Sequence, residues 1–222
     1  MDIFIVFGIH MNLAFIGGGS LGLETLSFFI DSKKNDNFNI FIVDFKISNK
    51  LLFRKLYKKI TFLTNINHLP KNNIKVCITI GSPEKRILVY KFLKKKKIKF
   101  FSAIHKSAHI SKTAKIGEGV IIAPKAVVSP FSKIKSNVFI NTGAVIGHNT
   151  FINSHTVICP NAFVGGYSKV GSNCYVGPNA VVSPNLSLGS NSKLSASSVL
   201  YKNTKRNVLA HGNPAKHTKI YK

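Results

Sequence analysis

A chain of 222 residues has room for two modest domains and a sizeable core. Its 32 Lys and Arg stand against 7 acidic residues, a formal charge of +25 that favours anionic partners such as nucleic acid, anionic lipid or a phosphate-rich small molecule. Because Lys, Asn and Ile are abundant together, the charge reads mainly as a compositional bias, spread along the chain rather than confined to one face. No aromatic-interleaved basic motif supports nucleic-acid binding. Cys77, Cys159 and Cys174 lie far apart with no metal-ligand spacing, which fits a reducing cytoplasm, with Cys77 and Cys174 as packing residues.

Residues 3–9 are apolar but far shorter than the roughly 18 residues of a membrane span, and no basic residue precedes them as a signal peptide requires. Met11, just before a normal first strand, is an alternative start that would make residues 1–10 an upstream extension. The strand over 12–16 runs into Gly17-Gly18-Gly19-Ser20-Leu21-Gly22 and then into a helical pattern over 23–30. Glycines 17, 19 and 22 satisfy G-x-G-x-x-G in the strand-turn-helix setting that gives the motif meaning. A second strand, 38–43, ends in Asp44, where an acid often meets a ribose hydroxyl. A third, 75–80, ends at Gly81, followed by a helix over about 82–97 and a short strand near Phe100. This is a Rossmann-like nucleotide-binding α/β domain over residues 1–103. It leaves no room for a second mononucleotide half and a hydride-transfer partner, so a nucleotide-sugar is favoured over NAD. The run Lys94–Lys97 is a solvated helix end that suits the helix dipole.

From Ile104 to Leu200 every sixth residue is aliphatic, seventeen times in succession. Two positions earlier stands a mostly small residue, such as Ala108, Ala126, Ala144, Ala162 or Ala180. Two and three positions later, Gly, Pro and Asn recur, which suits a corner. Six residues hold one short strand and one corner, and three sides close an 18-residue coil whose coils stack about 4.8 Å apart. A triangular β-helix of about five coils follows, over residues 104–222 with a C-terminal cap from about Lys202. Its aliphatic column fills the axis, each side chain contributing about 1.5–3 kcal/mol. The period leaves the handedness open.

With these domains together, the chain resembles the small sugar acetyltransferases that join an N-terminal nucleotide-binding domain to a C-terminal left-handed parallel β-helix. UDP-4-amino-sugar N-acetyltransferases and sialic acid O-acetyltransferases typify them. The resemblance covers residues 12–218. It is carried by Phe15-Ile16-Gly17-Gly18-Gly19, Thr79-Ile80-Gly81, Ile104-His105, Ala114-Lys115-Ile116-Gly117-Glu118-Gly119, Ile140-Asn141-Thr142-Gly143-Ala144-Val145-Ile146-Gly147-His148 and Gly212-Asn213-Pro214-Ala215-Lys216. It implies an acetyl-CoA-dependent N-acetyltransferase of a nucleotide-linked amino-sugar, at its 4-amino group, serving surface glycan synthesis from the cytoplasm. O-acetylation of a sugar, or a non-catalytic nucleotide-sugar and CoA-binding β-helix, are the alternatives. By resemblance His148 is the general base, Val157, Gly166, Pro178 and Ala196 meet coenzyme A, and Gly19, Ser20, Leu21, Asp44 and Gly81 meet the nucleotide-sugar. A homotrimer with active sites between prisms is implied as well.

One coil before and one coil after His148 stand Pro130 and Gly166, so the next coil offers no side chain to cover the imidazole. Three side chains of the family are absent: Leu21 stands for a glycine-loop histidine, Asn149 for the acid after the base, and Val157 for a second histidine. After Glu84 the only acid is Glu118, which precedes His148 by more than one coil and falls on another corner. Unless a neighbouring subunit or the front domain supplies a carboxylate, Asn149 or a carbonyl fixes the tautomer, which predicts a slower enzyme or one acting on an easier nucleophile such as an amine. His155, stacked with Asn137 and Asn173, reads as a surface histidine. No metal is expected, because His105, His109, His148 and His155 have no stacked spacing that would make a zinc triad.

Overall fold

A computed structural model describes residues 11–33, 38–47 and 49–219. The segment 1–10, with its alternative start, lies outside them. The front part is a parallel sheet with strands β1 (Met11–Ile16), β2 (Phe38–Val43), β3 (Ile60–Leu63), β4 (Ile74–Ile78) and β5 (Lys99–Phe100), ordered β3-β2-β1-β4-β5. Helices α1 (Ser20–Ser32), α2 (Lys50–Leu56) and α3 (Pro83–Lys95) connect them. Each parallel strand is apolar because both faces of the sheet are covered, and Leu13, Phe15, Ile40, Ile42 and Val76 are buried. The sequence pattern marks β1, β2, β4, β5, α1 and α3 but not α2, whose basic residues mask a weak pattern, or β3, a run of only four residues.

From Ala103 onward the chain forms two-residue rungs, and each pairs in parallel with the corresponding rung of the next coil, Val127 with Val145 and Ile134 with Ile152. These repeated short parallel strands fit a left-handed β-helix. The aliphatic column is buried from Ile122 to Leu200. At fourteen successive corners, from Gly119 to Ser197, the third residue after the aliphatic is left-handed; two are Gly and seven Asn, the residues that tolerate that conformation best. The segment Val208–His211 adds in parallel to Lys193–Leu194 and pairs antiparallel with Lys216–Lys219, so the predicted cap extends one face of the prism.

The three faces differ in their outward residues. One, the docked face, presents Ile121, Phe139 and Val157 to the front part, where they share an apolar cluster with Phe15, Leu26 and Phe28. The boundary at 103/104 is therefore crossed by a common core. The apolar face presents Val127, Val145, Phe163, Val181 and Val199, partly exposed. The lysine face presents Lys115, Lys133, Phe151 and Lys169. Of the four lysines in the rungs from Ala103 to Leu200, three thus gather on one face, while Lys193 lies on the docked face. Lys112 and Lys135 flank the lysine face, whereas the apolar face has no charged rung residue, because the step of a whole coil sorts lysines that the step of a single side leaves mixed.

Candidate active site

His148 and Asn149 form the corner between the apolar and lysine faces, and Asn149 takes the left-handed turn with φ 56°. Both are exposed. Asn149 Oδ1 lies 3.1 Å from His148 Nδ1. An amide oxygen only accepts, so Nδ1 donates and the lone pair is left on Nε2. Nε2 faces Gly166 of the next coil, where an added Cβ would stand 2.8 Å from it. The Tyr167 ring meets the imidazole edge-on at 5.0 Å, and its N–H donates to His148 O at 2.9 Å. Asn149 and Tyr167 hold the ring while Gly166 keeps its basic nitrogen uncovered. Pre-positioning of this kind suits proton abstraction from a nucleophile.

Glu118 stands at another corner, accepting from Tyr90 Oη at 2.7 Å and Lys94 Nζ at 2.8 Å, and the bond from Lys94 holds its carboxyl below the usual range. Lys94, which the sequence marks only as part of a solvated helix end, thereby ties α3 to the prism. Of the positions expected to meet coenzyme A, Gly166 lies against His148. Pro178 and Ala196 lie at the corner between the docked and apolar faces, bounding the apolar face on its other edge. Val157 requires correction: it is 2% exposed beneath the front part, so its side chain meets no ligand.

In the glycine loop, Gly17 has φ +126° and a Cβ there would stand 2.5 Å from Thr79 O, while a Cβ on Gly22 would collide with Gly17 O. Thr79 Oγ1 donates to Gly17 O at 2.8 Å, and Gly18 N–H donates to Asp44 Oδ2 at 2.7 Å. Around Gly19 there is open space. Ser20 opens α1, and Leu21 lies near Gly81 across the loop. Two cavities flank this loop. One, of about 400 Å³ at the carboxyl ends of the strands, is lined by Gly17, Asp44, Phe45, Thr64, Ile80 and Leu88. It lies where the strand order reverses, the usual ligand crevice of such sheets. The other, of about 590 Å³, lies between α1, α2 and the prism and contains Ser20, Glu24, Phe28, Asp31, His105 and Pro124. Phe45, Thr64, Glu24 and Asp31 were missed as lining residues because no motif marks them, though Phe45 follows Asp44; His105 belongs to the Ile104-His105 marker but was given no place at a site.

Arg86 is fully buried at the junction. It donates to Ile78 O, Ile80 O, Asn137 O and Asn137 Oδ1 at 2.7 to 3.2 Å. Asn137 Nδ2 lies 3.0 Å from His155 Nδ1, which accepts, and His155 stacks edge-on with Tyr90 at 4.9 Å. The surface-histidine expectation is corrected: burial, then Arg86 and Lys91, hold the imidazole down at about 4. The front part thus contacts the docked face and its two corners, while His148 stands at the third corner, on the far side of the prism. One chain does not bring its own glycine loop to its own His148.

No family model matches the chain. Among solved structures, it is similar to a mutant of perosamine N-acetyltransferase from Caulobacter crescentus in complex with CoA and GDP-perosamine (22% identity, 93% of this chain and 96% of that one, TM-score 0.81). It is equally similar to the acetyltransferase domain of PglB from Neisseria gonorrhoeae FA1090 in complex with acetyl coenzyme A (23% identity, 94% and 100%, TM-score 0.81). WeeI from Acinetobacter baumannii AYE matches at 19% identity over 94% and 100%, with TM-score 0.81. The chain shares their fold. Among its described residues no helix is long and apolar enough to cross a membrane.

Proposed function

We propose that the chain is an acetyl-CoA-dependent N-acetyltransferase of a nucleotide-linked amino-sugar, acting at the 4-amino group for surface glycan synthesis in the cytoplasm. The observation that carries this reading is His148, with Nδ1–H held by Asn149 and Nε2 uncovered over Gly166. The amine attacks the thioester carbon of acetyl-CoA, Nε2 takes its proton, and the thiolate leaves as coenzyme A after protonation. A positioned base contributes about 10²–10⁴ in rate. The shared fold supports the assignment, since the perosamine enzyme is described with CoA and an amino-sugar nucleotide bound.

In this reading Gly19, Ser20, Leu21, Asp44 and Gly81 hold the nucleotide-sugar, and Gly166, Pro178 and Ala196 border the path of coenzyme A. The reading also requires a second protomer, because the loop and base of one chain face opposite ways. The apolar face, with Phe163 39% exposed, is a surface that a closed homotrimer would bury. O-acetylation of a sugar by the same base is the second reading, because His148 has no carboxylate beside it to distinguish a hydroxyl from an amine. Thiol release from acetyl-CoA, measured with UDP-, GDP- and dTDP-linked amino-sugars and their hydroxyl counterparts, tests both. His148→Ala should lower turnover about 10²–10⁴-fold without loss of fold; unchanged turnover overturns the proposal.

A further inference from the structure

The lysine face carries a concavity lined by none of the residues assigned above to coenzyme A or the nucleotide-sugar. A groove of about 510 Å³ is lined by Lys115, Lys133, Lys169 and Phe151, with Phe131 and Asn149 one coil apart at its corner. The three lysines are exposed, and the ion pairs among the described residues, Lys94 with Glu118 and Lys193 with Glu84, lie elsewhere. Lys115 and Lys133 are register partners on adjacent rungs. Like charges in that position destabilise a sheet unless an anion joins them. After Glu84 the sequence holds one acid, Glu118, already bound by Tyr90 and Lys94, so the prism has no acid left to neutralise these lysines. Phe131 has φ 61° and is 60% exposed, a strained placement for a bulky ring that leaves its face open to a planar group.

We propose that this groove is a second ligand site for a nucleotide, whose phosphates lie between Lys115, Lys133 and Lys169 and whose base stacks on Phe131. The dimensions suit a small molecule. It opens on the lysine face, whereas the proposed path of coenzyme A borders the apolar face, and the two meet at the corner of His148 and Asn149. Occupancy has a consequence for that corner, because Asn149 both lines the groove and holds His148. A bound phosphate supplies negative charge beside an imidazole that has no carboxylate, and so stabilises the imidazolium formed when Nε2 takes a proton. This consequence rests on the acetyl-transfer reading; the binding does not.

Calorimetric titration with ADP, inorganic pyrophosphate and adenosine tests the site in a Gly19→Val background. That change closes the glycine loop, where open space and φ −83° accept a side chain. ADP should bind saturably, pyrophosphate more weakly and adenosine not at all. The double variant Lys115→Gln/Lys133→Gln should lose at least tenfold in ADP affinity. Phe131→Ala should weaken ADP but not pyrophosphate, and Lys106→Gln should change neither. Absence of ADP binding, or indifference to the lysine pair, overturns the site. With the glycine loop intact, ADP should raise kcat several-fold, less so in the lysine variant. Binding without any acetyl transfer would sink the proposed function and leave the groove standing, whereas transfer indifferent to ADP would sink the link to His148.

Discussion

Each rung of the prism repeats the one beneath it, whereas at the junction with the front sheet no two residues do the same thing. Along the axis, Ile122, Val128, Ile134 and their successors make the same contact again and again. At the junction one guanidinium, with Asn137, His155, Tyr90 and Glu118, ties helix α3 to three successive coils through different groups on each. Stability in the prism is therefore distributed, as in other solenoids. The orientation of the front sheet depends on a few polar groups that cannot substitute for one another.

Removing the centre of the junction gives the sharpest contrast. Arg86→Met leaves Ile78 O, Ile80 O and Asn137 O without their donor, at a cost of about 3–5 kcal/mol. Denaturant unfolding should then split, the front part melting before the prism; a single transition near the wild-type midpoint would break the comparison. In the axis, Ile158→Ala opens a cavity costing about 2–4 kcal/mol. There the loss should lower the prism transition without separating it from the front part, because neighbouring coils still stack on both sides.

Acid should act on the junction before it acts on the prism. His155 is held at about 4 against an ordinary 6.5. Between those values the unfolded chain binds a proton that the folded one refuses, so stability is full above pH 6.5, falls as pH drops toward 4, and loses no more below. Allowing for the half-exposed ring, the loss is about 2 kcal/mol. Glu118 and Glu84, both held below the usual carboxylate range, lose their contribution only below about 4.5. Unfolding free energies measured from pH 7 to 4 should therefore slope in wild type and flatten in His155→Gln; equal slopes would remove His155 from the junction.

The prism was legible in the sequence because its period is short and uninterrupted, and the glycine loop because Gly17 and Gly22 have no room for a Cβ. The three different faces were hidden by the same period. The step of a single side merges Ile121, Val127 and Lys133, and only the step of a whole coil separates the docked, apolar and lysine columns. Arg86 was missed because it sits in a helix rich in solvated lysines, where nothing in the sequence marks the one cation that turns inward. Val157 was placed by resemblance at a ligand site because one-dimensional matching does not register that the front part covers that rung. His148 stands out in the sequence because the residue one coil on is a glycine, and the structure places its Nε2 against that Gly166.

The smallest expected effect tests the corner that stands apart from both regions. Asn149 Oδ1 fixes the tautomer of His148 but carries no full charge, so it orients the ring better than it stabilises the imidazolium. Asn149→Asp keeps the shape and the left-handed propensity at φ 56° while adding the missing charge. If the proposed transfer is limited by proton abstraction, kcat should rise about threefold to tenfold, on the order of 1 kcal/mol of barrier, with little change in the KM for acetyl-CoA. An unchanged kcat would mean that the neighbouring amide already supplies all the support the base needs, and that the absence of acids around this corner has no catalytic consequence.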